Sequence, residues 1–161
     1  MKQVLLILLL SVLYSFKAST EELALRNLFY EASEDENASQ ELFKKMKLVD
    51  VNSPAIKIGF KGLSYLIEAK HSYNPYTKLS FFNKGTELIE AAITKSPSNI
   101  ELRFFRYIIQ GNTPAFLGYK GNMTEDVTFI NKKLSSVRDI DLRTRIIQYF
   151  QDEKNKKWKK E

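Results

Sequence analysis

The stretch Asn74 to Gln110, NPYTKLSFFNKGTELIEAAITKSPSNIELRFFRYIIQ, decides the fold. Asn74-Pro75 is a helix-start pair, a capping side chain followed by a proline that tolerates the first helical position. Phe82, Gly85, Ile89, Ala92 and Ile93 then recur at helical spacing and mark one inward face. Ser96-Pro97 ends this helix, because a residue before proline disfavours helical geometry. Ser98 or Asn99 caps the next helix. Its apolar residues Leu102, Phe104, Phe105, Ile108 and Ile109 spread over about half the circumference at 3.6 residues per turn. A stripe that wide needs neighbours on two sides. Arg103, Arg106 and Gln110 fall together on the opposite face.

Working outward, proline, glycine and capping residues divide the remaining body into helices. Thr20-Glu21-Glu22 opens a first helix with Leu25, Leu28, Phe29 and Ala32 on one face. Ser33 to Asn37 is an acidic break, and Asn37 can cap a short helix carrying Leu42, Phe43 and Met46. Ser53-Pro54 repeats the start signal, with Ile56, Phe60, Leu63 and Ile67 inward. Gly111 to Asn122 cannot continue a helix. Thr124-Glu125-Asp126 starts another, with Val127, Ile130, Leu134 and Val137 on one side. Asp139 starts the last, with Ile146, Ile147 and Phe150 inward. No segment alternates with a period of two for long enough to form a strand. The fold class is therefore all-α, with about six helices after the N-terminal leader, in antiparallel hairpins or an irregular bundle.

Residues 1–18 read as a secretory signal peptide: a basic start at Lys2, then an aliphatic run from Val4 to Tyr14. That run is short for a spanning helix, which needs about 20 apolar residues. Phe16 stands where cleavage prefers a small residue, so an uncleaved anchor stays open beside a cleaved leader, as does an ordinary buried helix. With no cysteine in the chain, an exported domain of this kind has no disulfide staple and depends on its core. Residues 19–153 make one domain's worth of chain, and 154–161 a basic tail. The leader carries +2 and the tail +4, which accounts for the whole net charge of +6 and leaves the body neutral. A nucleic-acid surface would place excess positive charge on the domain itself, so no nucleic-acid partner is expected. The tail reads as a solvated helix end, or as a contact with an anionic membrane around Trp158.

Gly85, Ile89, Ala92 and Pro97, with Phe82 one turn earlier, resemble the second helix of a tetratricopeptide repeat. That family places small residues where helices touch, a bulky one between them, and a proline after the helix. In the preceding helix Gly59 fits the family's glycine, but its aromatic position falls on Gly62. Pro54 and Pro97 lie 43 residues apart, against about 34 in the family. The chain as a whole resembles the short exported helical proteins of bacteria, from which no activity follows. The repeat resemblance implies protein or peptide binding on a helical surface.

Residues suited to catalysis are sparse. The lone histidine, His71, sits near a helix end between Lys70 and Ser72, and reads as a helix-end feature rather than a base. Without cysteine there is no thiol nucleophile, and neither a phosphate loop nor a nucleophile elbow occurs. No cofactor and no metal is expected. Glu87 and Glu90 stand three apart on a helix; that spacing allows a paired-carboxylate site, but they read as solvated carboxylates flanking Ile89. Arg103 and Arg106 read as structural ion pairs, to Glu87 or Glu90, or as a carboxylate clamp. In the loop TPAFLGYKGN, Phe116, Leu117 and Tyr119 either fold back on the core or meet a partner, with Gly118 and Gly121 supplying unusual backbone angles. The candidate binding residues are Arg103, Arg106, Tyr107, Phe116, Tyr119 and Lys120. The sequons at Asn37 and Asn122 read as helix-start chemistry. The expected function is an exported, non-enzymatic binding or scaffold protein, periplasmic or secreted, with a protein or peptide partner. The alternatives are a small envelope enzyme using the Arg103/Arg106 face, or a membrane-surface protein held by leader and tail.

Overall fold

The structure is a computed structural model that describes residues 20–158, with side chains described through residue 155. The leader and the end of the tail lie outside the described residues. Seven α-helices occur, close to the number expected, and no strand is present among the described residues. They are α1 (20–32), α2 (Glu36–Met46), α3 (Ala55–His71), α4 (Pro75–Lys95), α5 (Ile100–Asn112), α6 (Met123–Lys133) and α7 (Ile140–Trp158). One-turn 3-10 helices follow α5 (Ala115–Leu117) and α6 (Leu134–Ser136).

The starts of α4 and α5 are as the sequence expects. The Asn74 side chain accepts from the Tyr76 and Thr77 amides, and Asn99 accepts from those of Glu101 and Leu102. Asp139 accepts from the Leu142 amide at 3.0 Å and opens α7. Other starts differ. Asp35, not Asn37, caps α2 by accepting from the Ala38 amide, because its carboxylate stands at the end of the break while Asn37 already lies within the first turn. Pro54 takes the cap position of α3 itself, without a side-chain bond, because Ser53 is committed to Asp50. Asn122 precedes α6 but its side chain does not cap it. Neither sequon asparagine is therefore a capping side chain. α5 also runs to Asn112, two residues beyond the expected end.

Two hydrophobic clusters share α5. Leu25, Leu42, Phe60, Leu63, Ile89, Ala92, Leu102 and Phe105 belong to the larger, built from α1 to α5. The smaller holds Phe104, Ile130, Leu142 and Ile146, with Tyr107, Ile108, Tyr149 and Phe150 packed against it. Leu102 and Phe105 face one cluster and Phe104 the other, so the width of the apolar stripe on α5 has the physical cause expected of it. Fully burying one such side chain contributes roughly 1.5–3 kcal/mol. Phe82 is only half-buried; its ring meets Tyr119 edge-on rather than entering the α3–α4 contact. Ile147, expected inward on α7, is 40% exposed. Its neighbour Ile146 holds the buried position, and the next residue on a helix points about 100° away.

Candidate functional site

The polar side of α5 is enclosed. Arg106 is buried, and its guanidinium donates from Nε and Nη2 to the two oxygens of Asp126 at 2.7 and 2.8 Å. Its Nη1 donates to Glu90 at 2.7 Å. Arg103 donates to Glu125 at 2.6 Å and to Asp126 at 3.0 Å, and lies over the Phe129 ring. Asp126 is fully buried and accepts from both arginines. Burial opposes the charge on Arg106, but Asp126 and Glu90 outweigh it and raise its pKa. Every nitrogen of the Arg106 guanidinium thus meets a carboxylate of α4 or α6, while Arg103 meets those of α6 through Nη1 and the Pro97 carbonyl through Nε. The expected pairing with Glu90 is present; Glu125 and Asp126 are partners that linear reading assigned only to a helix start.

The loop after α5 divides its aromatics. Tyr119 folds back, donating from its hydroxyl to Glu90 at 2.6 Å and standing edge-on to Phe82. Burial, and then the bond to Glu90, push its phenol far above the ordinary range, so it stays a donor. Phe116 is 86% exposed, and Lys120 is exposed near it. Gly118 adopts φ 68°, the left-handed region, whereas Gly121 needs no positive φ. Tyr107 lies elsewhere, against Tyr149 and Phe150. The six residues therefore do not form one site: Arg103, Arg106 and Tyr119 join one ionic network, Phe116 and Lys120 face outward, and Tyr107 belongs to the smaller core.

A second network ties α1 to α5 and to the start of α7. Arg26 is buried and donates to Glu101 at 2.6 and 3.0 Å, and it pairs with Asp139 at 2.8 Å and Asp141 at 3.3 Å. Burial raises the Glu101 carboxyl above its usual range despite Arg26. At the end of α3, His71 Nε2 lies 3.1 Å from the Ala32 carbonyl, consistent with a tethering helix-end residue.

A groove of about 330 Å³ lies over the middle of α3 and α4, closed on one side by the α2–α3 loop. That volume is at the lower end of the range for ligand sites, roughly 300–1,000 Å³. Its apolar lining includes Val49, Val51, Ile58, Tyr65, Leu88 and Ala91. Lys61, Lys84, Lys95, Asp50 and Glu87 supply the polar lining. A smaller recess of about 90 Å³ shares Lys61 and Tyr65 with it and extends towards Phe43 and Lys47.

The loop beside the groove is held from both sides. Lys61 donates to the Val49 carbonyl, and Lys95 to those of Val51 and Ser53 at 2.8 and 2.9 Å. Asp50 accepts from the Asn52 and Ser53 amides at 2.9 and 3.1 Å. With these carbonyls drawn inward, Leu48 is 93% and Val51 80% exposed. Two apolar side chains are thus held in water by a pinned backbone. The signal was present in LVDVNS, residues 48–53, as apolar residues around an Asp-x-x-Ser turn, but nothing local identifies the two distant lysines that hold it. No helix among the described residues is long and apolar enough to cross a membrane. Comparison of the chain with protein-family models, curated proteins and solved structures finds no match.

Proposed function

We propose that this protein is an exported, non-enzymatic helical scaffold that binds a segment of another protein in the groove over α3 and α4. The observation that carries this reading is the pinned α2–α3 loop, which displays Leu48 and Val51 beside an apolar-lined groove. Exposing apolar groups on a held backbone opposes the hydrophobic effect, and a preorganised contact lowers the ordering cost of association. Close approach of α3 and α4 and the turn at Pro97 support a tetratricopeptide-like hairpin as the frame. Export rests on the leader-like residues 1–18. Phe116 on the α5–α6 loop is a second candidate contact. The alternative of an enzyme working through Arg103 and Arg106 draws no support from guanidiniums already bound to carboxylates.

A photoreactive residue placed at Val51 in the expressing cell tests the reading, with Lys132 on α6 as control. A discrete adduct from Val51, absent at Lys132 and lost on Lys95→Ala, is the expected result, in the soluble envelope fraction after a salt wash. Equal labelling at both positions, or none at Val51, overturns it.

A further inference from the structure

The groove has a charge as well as a shape. Among the described residues, Lys61 and Lys95 bind only main-chain carbonyls. A carbonyl satisfies an ammonium without supplying a counter-charge, so neither lysine has a paired acid at the groove among the described residues. Lys84 pairs with Glu87 at 3.0 Å, but both side chains are largely exposed, and such a pair is worth little in water. Lys47 lines the adjoining recess. Four lysines against Asp50 and Glu87 leave the combined lining net positive by two. The surrounding chain agrees: residues 44–61 contain five lysines and a single acid, Asp50, inside a body that is neutral overall, and of the five Lys57 alone pairs with a carboxylate, that of Glu21 at 2.7 Å, among the described residues. The neutrality of the body thus hides a local concentration of positive charge, and it lies where Leu48 and Val51 are displayed.

We infer that the groove takes an acidic protein segment with apolar anchors, its Asp or Glu carboxylates meeting Lys61, Lys84 and Lys95 while its apolar side chains pack beside Val51 and Leu88. The inference rests on the groove reading above and names the chemistry of its occupant. Charge complementarity selects an acidic partner and speeds its association, and the apolar lining supplies the contact area. A nucleic-acid strand fits less well, because Asp50 and Glu87 line the groove and, among the described residues, Tyr65 is its one aromatic side chain, with Phe43 in the adjoining recess, whereas strand binding uses several stacking rings.

Selection of a random-peptide display library on the full-length protein, counter-selected against Val51→Asp, tests this. Val51 is exposed, so that substitution leaves the core untouched. The survivors are expected to be net negative with clustered apolar residues. A synthetic survivor should bind about 10-fold more weakly to Lys84→Glu and lose affinity as ionic strength rises. Survivors of neutral or positive net charge, lost on Val51→Asp, overturn the acidic preference and leave the groove reading intact. A library with no survivor dependent on Val51 overturns both.

Discussion

Gly62 of α3 and Gly85 of α4 bring the two helix backbones into direct contact: a Cβ on either residue would lie 2.8 Å from the other's carbonyl oxygen. Two opposing effects meet in Gly85→Ala. Alanine favours a helix by about 1 kcal/mol, while forcing a methyl group into a packed contact costs about 1–3 kcal/mol. The obstacle is backbone, together with Leu66 Cγ at 2.5 Å, and backbone cannot turn aside. Gly85→Ala is therefore expected to destabilise, by up to about 2 kcal/mol net, and Gly62→Ala likewise. Urea unfolding midpoints check this; a midpoint at or above wild type would sink the close-contact account.

The Arg106–Asp126 pair is expected to behave as a unit. Removing one partner of a buried pair costs about 3–5 kcal/mol, because a charge is left uncompensated. Arg106→Ala and Asp126→Ala should each fall in that range, and the double variant should cost clearly less than their sum. A double-mutant cycle by chemical denaturation measures the coupling. Strict additivity would mean that the two residues do not stabilise each other.

The α5–α6 loop separates display from anchoring. Phe116→Ser is expected to change stability by no more than about 0.5 kcal/mol, as for a surface position. Tyr119→Phe removes the bond to the Glu90 carboxylate and should cost about 1.5–3 kcal/mol. Thermal unfolding of the two variants should show this order, and a reversal would place Phe116 in the core.

Asp141 gives a pH dependence of definite sign. Burial acts to raise its pKa, but hydrogen bonds from Arg145 and Arg26 outweigh this and bring it below its ordinary 3.8. The native state then holds fewer protons at this group than the unfolded chain, so its contribution is present above the unfolded value and is lost as pH falls through the folded one. The stability gap between wild type and Asp141→Asn should be full near neutrality and shrink below about pH 4. Urea titrations at a series of pH values measure it; a gap constant down to about pH 2 would contradict the assignment.

Much of this fold is legible in the linear chain because its signals are local. A capping asparagine at Asn74 or Asn99, a proline at Pro75 or Pro97, and apolar residues at helical spacing act within a turn or two. They determine the all-helical class, the start and end of α4, and the role of α5 as a helix with neighbours on two sides. Gly85 reads correctly as a helix contact. Gly62, which departs from the repeat pattern it was compared with, is where α4 touches α3, a pairing set by the crossing of two helices.

The contents of the candidate sites were decided by tertiary structure. Arg103 and Arg106 are visible as a polar stripe, but only the packing of α6 onto α5 brings Asp126 against them and turns a possible ligand clamp into an internal pin. Arg26 and Glu101 lie 75 residues apart, and no local rule couples them. In the same way, Lys61 and Lys95 reach the α2–α3 loop from two different helices, and their charge gathers at one groove although the body sums to zero. Capping and periodicity are properties of neighbouring residues, so the sequence alone determines the helices; a groove, an ion pair or a concentration of charge depends on which surfaces meet, and that is settled when the helices pack.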